Sequence, residues 1–281
     1  MDAVATARGL LELTRPVNAV AAGVLTLVGA FVATADALLV APVGAAVAAT
    51  VLATGAGNAI NDYFDREVDR VNDPHRPIPR GVVQPRSALA FSVALFLVAV
   101  VVALALLPPL AIAIAVVNLL ALVSYTELFK GLPGVGNALV AYLGGSTFLF
   151  GGAAVGNVGP TVVLFVLAAL STFTREIIKD VEDVAGDSQE GLRTLPVAVG
   201  ERRSLTLAMG LLVVAALASP LPYLLGTFGA AYLALVIPAD VLMLWAGYES
   251  FARPSVGQSW LKYGMFLAAA AFVAGRAATV L

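Results

Sequence analysis

The sequence predicts an all-α membrane protein, a polytopic bundle of nine transmembrane helices with an internal repeat. Three observations predict it. Of the 281 residues, 60% are hydrophobic and only 12% charged, with a mean hydropathy of +0.95. A soluble domain carries about 25% charged residues, so a water-soluble globular enzyme is excluded. The charges are gathered into short stretches that leave long charge-free runs between them, and two of those stretches repeat one another. Alternating strands of about ten residues, the mark of a membrane barrel, are absent from the sequence.

Taken in order, the segment 3–15 reads as a short helix in the membrane interface, with Leu10, Leu11 and Leu13 toward lipid. Its charges, Arg8, Glu12 and Arg15, are followed by no small-residue cleavage site, which argues against a cleaved leader. A span needs about 20 apolar residues, so the charge-free runs 16–35 and 37–61 supply one each. The run 87–126 breaks at Pro108-Pro109 and gives two spans. The run 131–174 breaks around Gly151-Gly152 and Gly156–Pro160 and gives two more. Residues 204–248 hold Asp240 as their one charge, break near Pro220 and Pro222, and again give two; 259–281 supplies the ninth.

Of the 16 Lys and Arg residues, all but Arg276 fall in the N-terminal segment or around the loops after spans 2, 4, 6 and 8. The positive-inside rule puts the N-terminus and these loops in the cytoplasm and the C-terminus outside. No large extramembrane segment remains, so residues 1–281 read as one domain whose chemistry sits where the charged loops meet the bundle. Cysteine is absent, which excludes disulfides, thiolate metal sites and thiol nucleophiles. The single histidine, His75, is too little for a zinc site.

The acidic residues concentrate in two places. After span 2 the chain carries Asn61-Asp62, Asp65 and Asp69, then Arg76, Pro79 and Arg80; after span 6 it carries Arg175, Lys179-Asp180, Asp183 and Asp187, then Arg193 and Pro196. Asp62, Asp65 and Asp69 match Asp180, Asp183 and Asp187 at identical spacing, and each triad is followed by Arg-x-x-Pro with one residue of slippage. Repeats of this kind place a shared site at their interface. Positions i, i+3 and i+7 share a helix face, so each triad presents a column of carboxylates. Both columns stand at helix C-termini, where the macrodipole is already negative. Three like charges there call for a cation. Oxygen ligands without His or Cys indicate a hard ion, Mg²⁺ first, which completes its shell with waters and substrate phosphate. Isolated acids such as Glu12, Asp73, Glu190 and Glu201 read instead as solvated helix ends.

Other polar residues lie at the same edge. Lys130, after span 4, is placed to hold a diphosphate or to snorkel. Arg15 and Asn18 open span 1; Asn18 is costly against lipid and therefore faces a cavity, and Arg15 either contacts phosphate or anchors the helix. Asn137 reads as a helix–helix hydrogen bond, and His75 as a loop residue. Asp240 is the one acid well inside a span.

Asn61-Asp62-x-x-Asp65-x-x-x-Asp69 and Asp180-x-x-Asp183-x-x-x-Asp187 resemble the two signatures of the UbiA superfamily of intramembrane prenyltransferases. The resemblance extends over the whole chain, and Tyr125–Gly131 is similar to the family's stretch after span 4. It implies helices around a central cavity open sideways to lipid, a prenyltransferase activity, Mg²⁺ as cofactor, and an isoprenyl diphosphate donor. Carried over by position, the metal set is Asn61, Asp65, Asp69, Asp183 and Asp187, with Asp62 and Asp180 in support; Tyr125 and Lys130 join the substrate set. Thr174–Asp183 and Thr194-Leu-Pro196 look most like the archaeal branch that attaches a second geranylgeranyl chain to the free hydroxyl of geranylgeranylglyceryl phosphate. Quinone-pathway and chlorophyll-type branches share the aspartates. A phosphorylated, lipid-like acceptor implies an arginine clamp, for which Arg76, Arg80, Arg175 and Arg193, with Lys179 beside them, are the candidates. Neither nucleic acid nor an obligate protein partner is implied. A cation-coupled transporter is the rival class, but its acids belong near the midplane, where only Asp240 lies.

Overall fold

The computed structural model describes residues 3–34, 40–125, 129, 131–189 and 191–280, with Asn72 described by its backbone alone. Lys130, Glu190 and the predicted turn at 36 lie outside the described residues. The described chain is helical and contains no strand: α1 (Ala3–Leu13), α2 (Pro16–Ala33), α3 (Val40–Phe64), α4 (Arg66–Asn72), α5 (Pro85–Leu106), α6 (Pro109–Ser124), α7 (Val135–Ala154), α8 (Gly159–Glu182), α9 (Val184–Gln189), α10 (Leu195–Val199), α11 (Glu201–Ala218), α12 (Leu221–Leu224), α13 (Ala230–Glu249) and α14 (Pro254–Val280). Prolines set several starts, Pro16, Pro85, Pro109 and Pro254 each opening a helix, where the missing N–H costs nothing.

Among the described residues, seven helices are long and apolar enough to cross a membrane: α2, α3, α5, α8, the run Glu201–Leu224 through α11 and α12, α13, and α14. The other two predicted spans correspond to α6, a shorter apolar helix of 16 residues, and α7, 20 residues rich in Gly and Ala. The protein is therefore a multi-pass helical membrane protein. Leu97, Val101 and Leu104 on α5 and Leu120 on α6 are exposed, as lipid-facing positions should be.

Small residues set the helix spacing. A Cβ on Gly151 of α7 would overlap the Thr26 carbonyl oxygen of α2, and one on Gly29 would overlap that of Phe148. Only glycine allows these backbones so close, which is how apolar helices associate without a hydrophobic driving force. Gly264 against Met243 and Gly275 against Tyr232 do the same between α14 and α13.

The N-terminal helix differs from expectation. Leu13 is fully buried and, with Leu10 half-buried beside it, packs on Ala59, Ile78, Val83 and Ala88; only Leu11 faces outward. The loop after α4 supplies an apolar surface, so α1 folds onto the protein and not into lipid.

Candidate active site

The two aspartate triads depart from a straight column in the same way. α3 ends at Phe64 and α8 at Glu182, and the middle aspartate of each triad forms a bend before the short helix that follows. Asp65 has φ −80° and ψ 1°, Asp183 φ −92° and ψ 1°. The bends keep their hydrogen bonds: Asp65 N–H donates to Asn61 O at 2.8 Å and Asp183 N–H to Lys179 O at 3.0 Å. The third aspartates donate to the middle ones, Asp69 to Asp65 O at 2.8 Å and Asp187 to Asp183 O at 3.0 Å. The repeat is thus one of backbone geometry as well as of sequence.

The slippage read from Arg-x-x-Pro disappears. Arg76 Nη1 donates to Asp69 Oδ2 at 3.0 Å, and Thr194 Oγ1 donates to Asp187 Oδ2 at 2.9 Å. Both donors stand seven residues after their aspartate, so Thr194 and not Arg193 is the counterpart of Arg76. Arg193 is exposed; its backbone N–H donates to Gly131 O at 3.1 Å.

Two arginines neutralise the first triad. Asp62, 4% exposed, accepts from Arg15 Nη2 at 2.6 Å and Arg76 Nη1 at 3.0 Å, and Arg76 Nε reaches Asp73 Oδ2 at 2.9 Å. One nitrogen of Arg76 thereby joins Asp62 to Asp69 across the bend, so the column keeps a common side. Arg15 takes φ 47° and ψ 68°, the left-handed region, which a non-glycine residue occupies at a cost of about 1–3 kcal/mol; this conformation carries its guanidinium to Asp62. Burial raises the Asp69 carboxyl above its ordinary value by more than Arg76 lowers it. Burial works against the Arg76 charge, but Asp73, Asp62 and Asp69 outweigh it and hold its pKa above the ordinary value. Arg80 is committed elsewhere, to Glu12 Oε2 at 2.6 Å and to the His75 carbonyl at 3.0 Å. Asn18 is exposed on the first turn of α2.

The second triad is held by neutral donors. Asn137 Nδ2, at the start of α7, donates to Asp180 Oδ2 at 2.8 Å, the counterpart of the bond from the start of α2. Asp183 and Lys179 are exposed. Arg175 Nη1 lies 3.1 Å from Glu176 Oε1, and its Nη2 donates to Gln258 Oε1 at 3.0 Å. Tyr125, just beyond α6, joins the triads: burial first, then the charges of Glu176, Asp180, Asp65 and Asp187, push its hydroxyl up to about 12.

The donor chemistry here is carboxylate, carboxamide and hydroxyl oxygen, which fits a hard divalent cation. Among the described residues no three Asp, Glu or His side chains converge closely enough to enclose an ion. Asp62, Asp69, Asp180 and Asp187 accept hydrogen bonds from Arg15, Arg76, Asn137 and Thr194.

The model of the UbiA prenyltransferase family matches residues 22–270. The chain belongs to that family. It is a prenyltransferase by membership, with the all-helical fold of its relatives. The digeranylgeranylglyceryl phosphate synthase of Natronomonas pharaonis is 65% identical over 276 residues, covering 97% of this chain and 98% of the relative. A solved structure described as "Structural and mechanistic insights into the biosynthesis of Digeranylgeranylglyceryl phosphate synthase in membranes" superposes with a TM-score of 0.83 at 36% identity, over 96% of this chain and 98% of that one. A UbiA homolog from Archaeoglobus fulgidus, bound to GPP and Mg²⁺, shares the fold with a TM-score of 0.73 at 19% identity, over 96% and 99% of the two chains.

The UbiA-family bundle also contains an apolar cavity between α2, α7, α8, α11, α13 and α14. Phe148, Phe272, Met243, Met265 and Phe266 contribute its walls. Asp240 lines it and accepts from Ser219 Oγ at 2.5 Å, while Tyr232 Oη donates to Ser219 O at 2.6 Å. Sequence reasoning missed Gln258, and it quoted Thr194 in the branch-like stretch Thr194-Leu-Pro196 without giving it a role toward Asp187. It named Asn137, but as a helix–helix bond and not as the partner of a site aspartate.

Proposed function

We propose that the chain transfers a geranylgeranyl group from geranylgeranyl diphosphate to the free hydroxyl of geranylgeranylglyceryl phosphate, with Mg²⁺ as cofactor. The observation that carries this reading is the pair of identically bent aspartate triads; the 65% identity to a synthase of that name selects the acceptor. The reaction breaks the donor's C1–O bond, forms an ether C1–O bond, and releases diphosphate and the hydroxyl proton.

Asn61, Asp65, Asp69, Asp183 and Asp187 would hold Mg²⁺, with Asp62 and Asp180 in support. Bound there, Mg²⁺ would supply positive charge against the leaving diphosphate. Arg76 donates to both Asp62 and Asp69 and so offsets the repulsion between them. Tyr125 keeps its proton at neutral pH and donates from Oη to an anionic oxygen. Asn137 and Thr194 fix Asp180 and Asp187 as acceptors toward the shared space. Lys130 and Lys179 add positive charge for the diphosphate, and Arg15 and Asn18 border the same space at the start of α2. The apolar walls below exclude water that would quench an allylic cation. The N-terminus and the triads face the cytoplasm, the C-terminus lies outside, nine helices span the membrane, and residues 1–281 act as one domain.

The test is an assay of purified protein with geranylgeranyl diphosphate and a panel of acceptors. The reading requires ether product from geranylgeranylglyceryl phosphate, abolished by EDTA and restored by Mg²⁺. Prenylation of 4-hydroxybenzoate alone would move the chain to the quinone branch.

A further inference from the structure

We propose that the cavity beside α8 and α14 is the acceptor's own site: its apolar chain lies in the cavity and its phosphate on the Nε–Nη2 edge of Arg175, which Gln258 positions. The proposal rests on the synthase reading for the identity of the acceptor and on geometry for the place. On α8, Ala168 and Thr172 line the cavity, and Arg175 is the next residue on that face, at i+7 from Ala168. On α14, Met265, Ala269 and Phe272 line it, and Gln258 stands seven residues before Met265 on the same face. The bond of 3.0 Å between Arg175 Nη2 and Gln258 Oε1 therefore joins α8 to α14 beyond the lining residues, on the side toward the aspartates.

The chemistry of this junction suits an anion with an apolar tail. Arginine grips paired anionic oxygens bidentately through two parallel N–H groups. On this edge Nη2 holds a neutral carboxamide, and Nε is buried without a hydrogen-bond partner. A buried, unsatisfied guanidinium donor above an apolar cavity is the complement of a phosphate ester with a hydrocarbon chain. Arg175 is ion-paired through Nη1 alone, to Glu176 Oε1 at 3.1 Å, which leaves the Nε–Nη2 edge to Gln258, whereas Arg15, Arg76 and Arg80 pair with Asp62, Asp69, Asp73 and Glu12. Asp183 lies eight residues beyond Arg175 along the helix direction, about 12 Å at 1.5 Å per residue. A glyceryl phosphate anchored at Arg175 thus extends its free hydroxyl toward the triads.

The experiment measures KM for each substrate in wild type, Gln258→Glu and Arg175→Lys, after thermal melting has established that each variant is folded. Glutamate at 258 neutralises Arg175 and repels phosphate; lysine at 175 lacks the bidentate edge. Acceptor KM is expected to rise at least about tenfold in both, with donor KM within about twofold. Unchanged acceptor KM, or donor KM rising in the same proportion, overturns the proposal. A second measurement is independent of turnover. A phosphorylated glyceryl ether with a diazirine at its chain end should label peptides containing Met243, Met265 or Phe266. Geranylgeranylglyceryl phosphate should compete, its dephosphorylated form should not, and Gln258→Glu should lose the label. Labelling elsewhere overturns the site. If wild type labels as expected but prenylates no phosphorylated acceptor, the site stands and the synthase reading fails.

Discussion

Thr194 holds Asp187 in the second half of the molecule at the register where Arg76 holds Asp69 in the first. The two halves therefore share a device, a donor seven residues beyond the last aspartate, but differ in its charge. At this register a guanidinium stands in one half and a hydroxyl in the other.

Substituting Arg76 tests that asymmetry. Arg76→Gln leaves Asp62, buried at 4% exposure, with Arg15 as its remaining cation. Loss of one partner of a buried pair destabilises by about 3–5 kcal/mol, reduced here because Arg15 stays. Without metal, the variant should melt several degrees below wild type; with millimolar Mg²⁺ most of the difference should vanish. A deficit of the same size in both conditions would make Arg76 purely structural.

The pH dependence has a definite sign. Burial raises the Asp69 carboxyl above 3.8 in the folded chain, so the folded state binds more protons than the unfolded state between the two values. The group therefore costs stability as pH rises through its folded pKa, and the cost is absent below 3.8. Metal-free protein should lose stability as pH rises from 3.8 through the raised pKa of Asp69, and Asp69→Asn should flatten that slope. Mg²⁺ competes with the same proton, so half-saturating Mg²⁺ should increase as pH falls. Thermal melts in EDTA, and Mg²⁺ titrations at several pH values, measure both.

Single cysteines test the topology, since the chain has none of its own. Ser188→Cys should react only from the cytoplasmic side and Leu225→Cys, in an exposed turn, only from outside. Labelling of both from one side would contradict the number of spans between them, and reversed labelling would contradict the orientation.

Composition and charge-free runs were enough to locate the helices, and Pro108-Pro109, Gly156–Pro160 and Pro220–Pro222 fall at observed breaks, because proline and glycine act locally; Gly151-Gly152, expected at a break, lies inside α7, where Gly151 serves the close contact with α2. α6 and α7 are the exceptions: the first is short and the second is diluted by glycines that serve the contact with α2. The aspartates were legible because matched spacing is a strong signal. Their bends were not, since nothing in Asp65 or Asp183 distinguishes a bend from a helical turn. Leu10 and Leu13 were misplaced because an apolar face does not say whether it meets lipid or protein. Gln258 was invisible for a related reason: its partner Arg175 is distant in sequence, and an uncharged polar side chain carries no pattern.

The account's central claim is that both triads act on one metal–diphosphate. It is tested most directly by a double-mutant cycle in which geranylgeranyl diphosphate binding is titrated with Mg²⁺ into wild type, Asp65→Ala, Asp183→Ala and the double variant. Groups that share a ligand couple by about 0.5–3 kcal/mol, whereas independent sites add. The account predicts that each single substitution weakens binding by at least about tenfold and that the double variant binds scarcely worse than either. Losses that simply add, or a single variant that binds as wild type does, would contradict it.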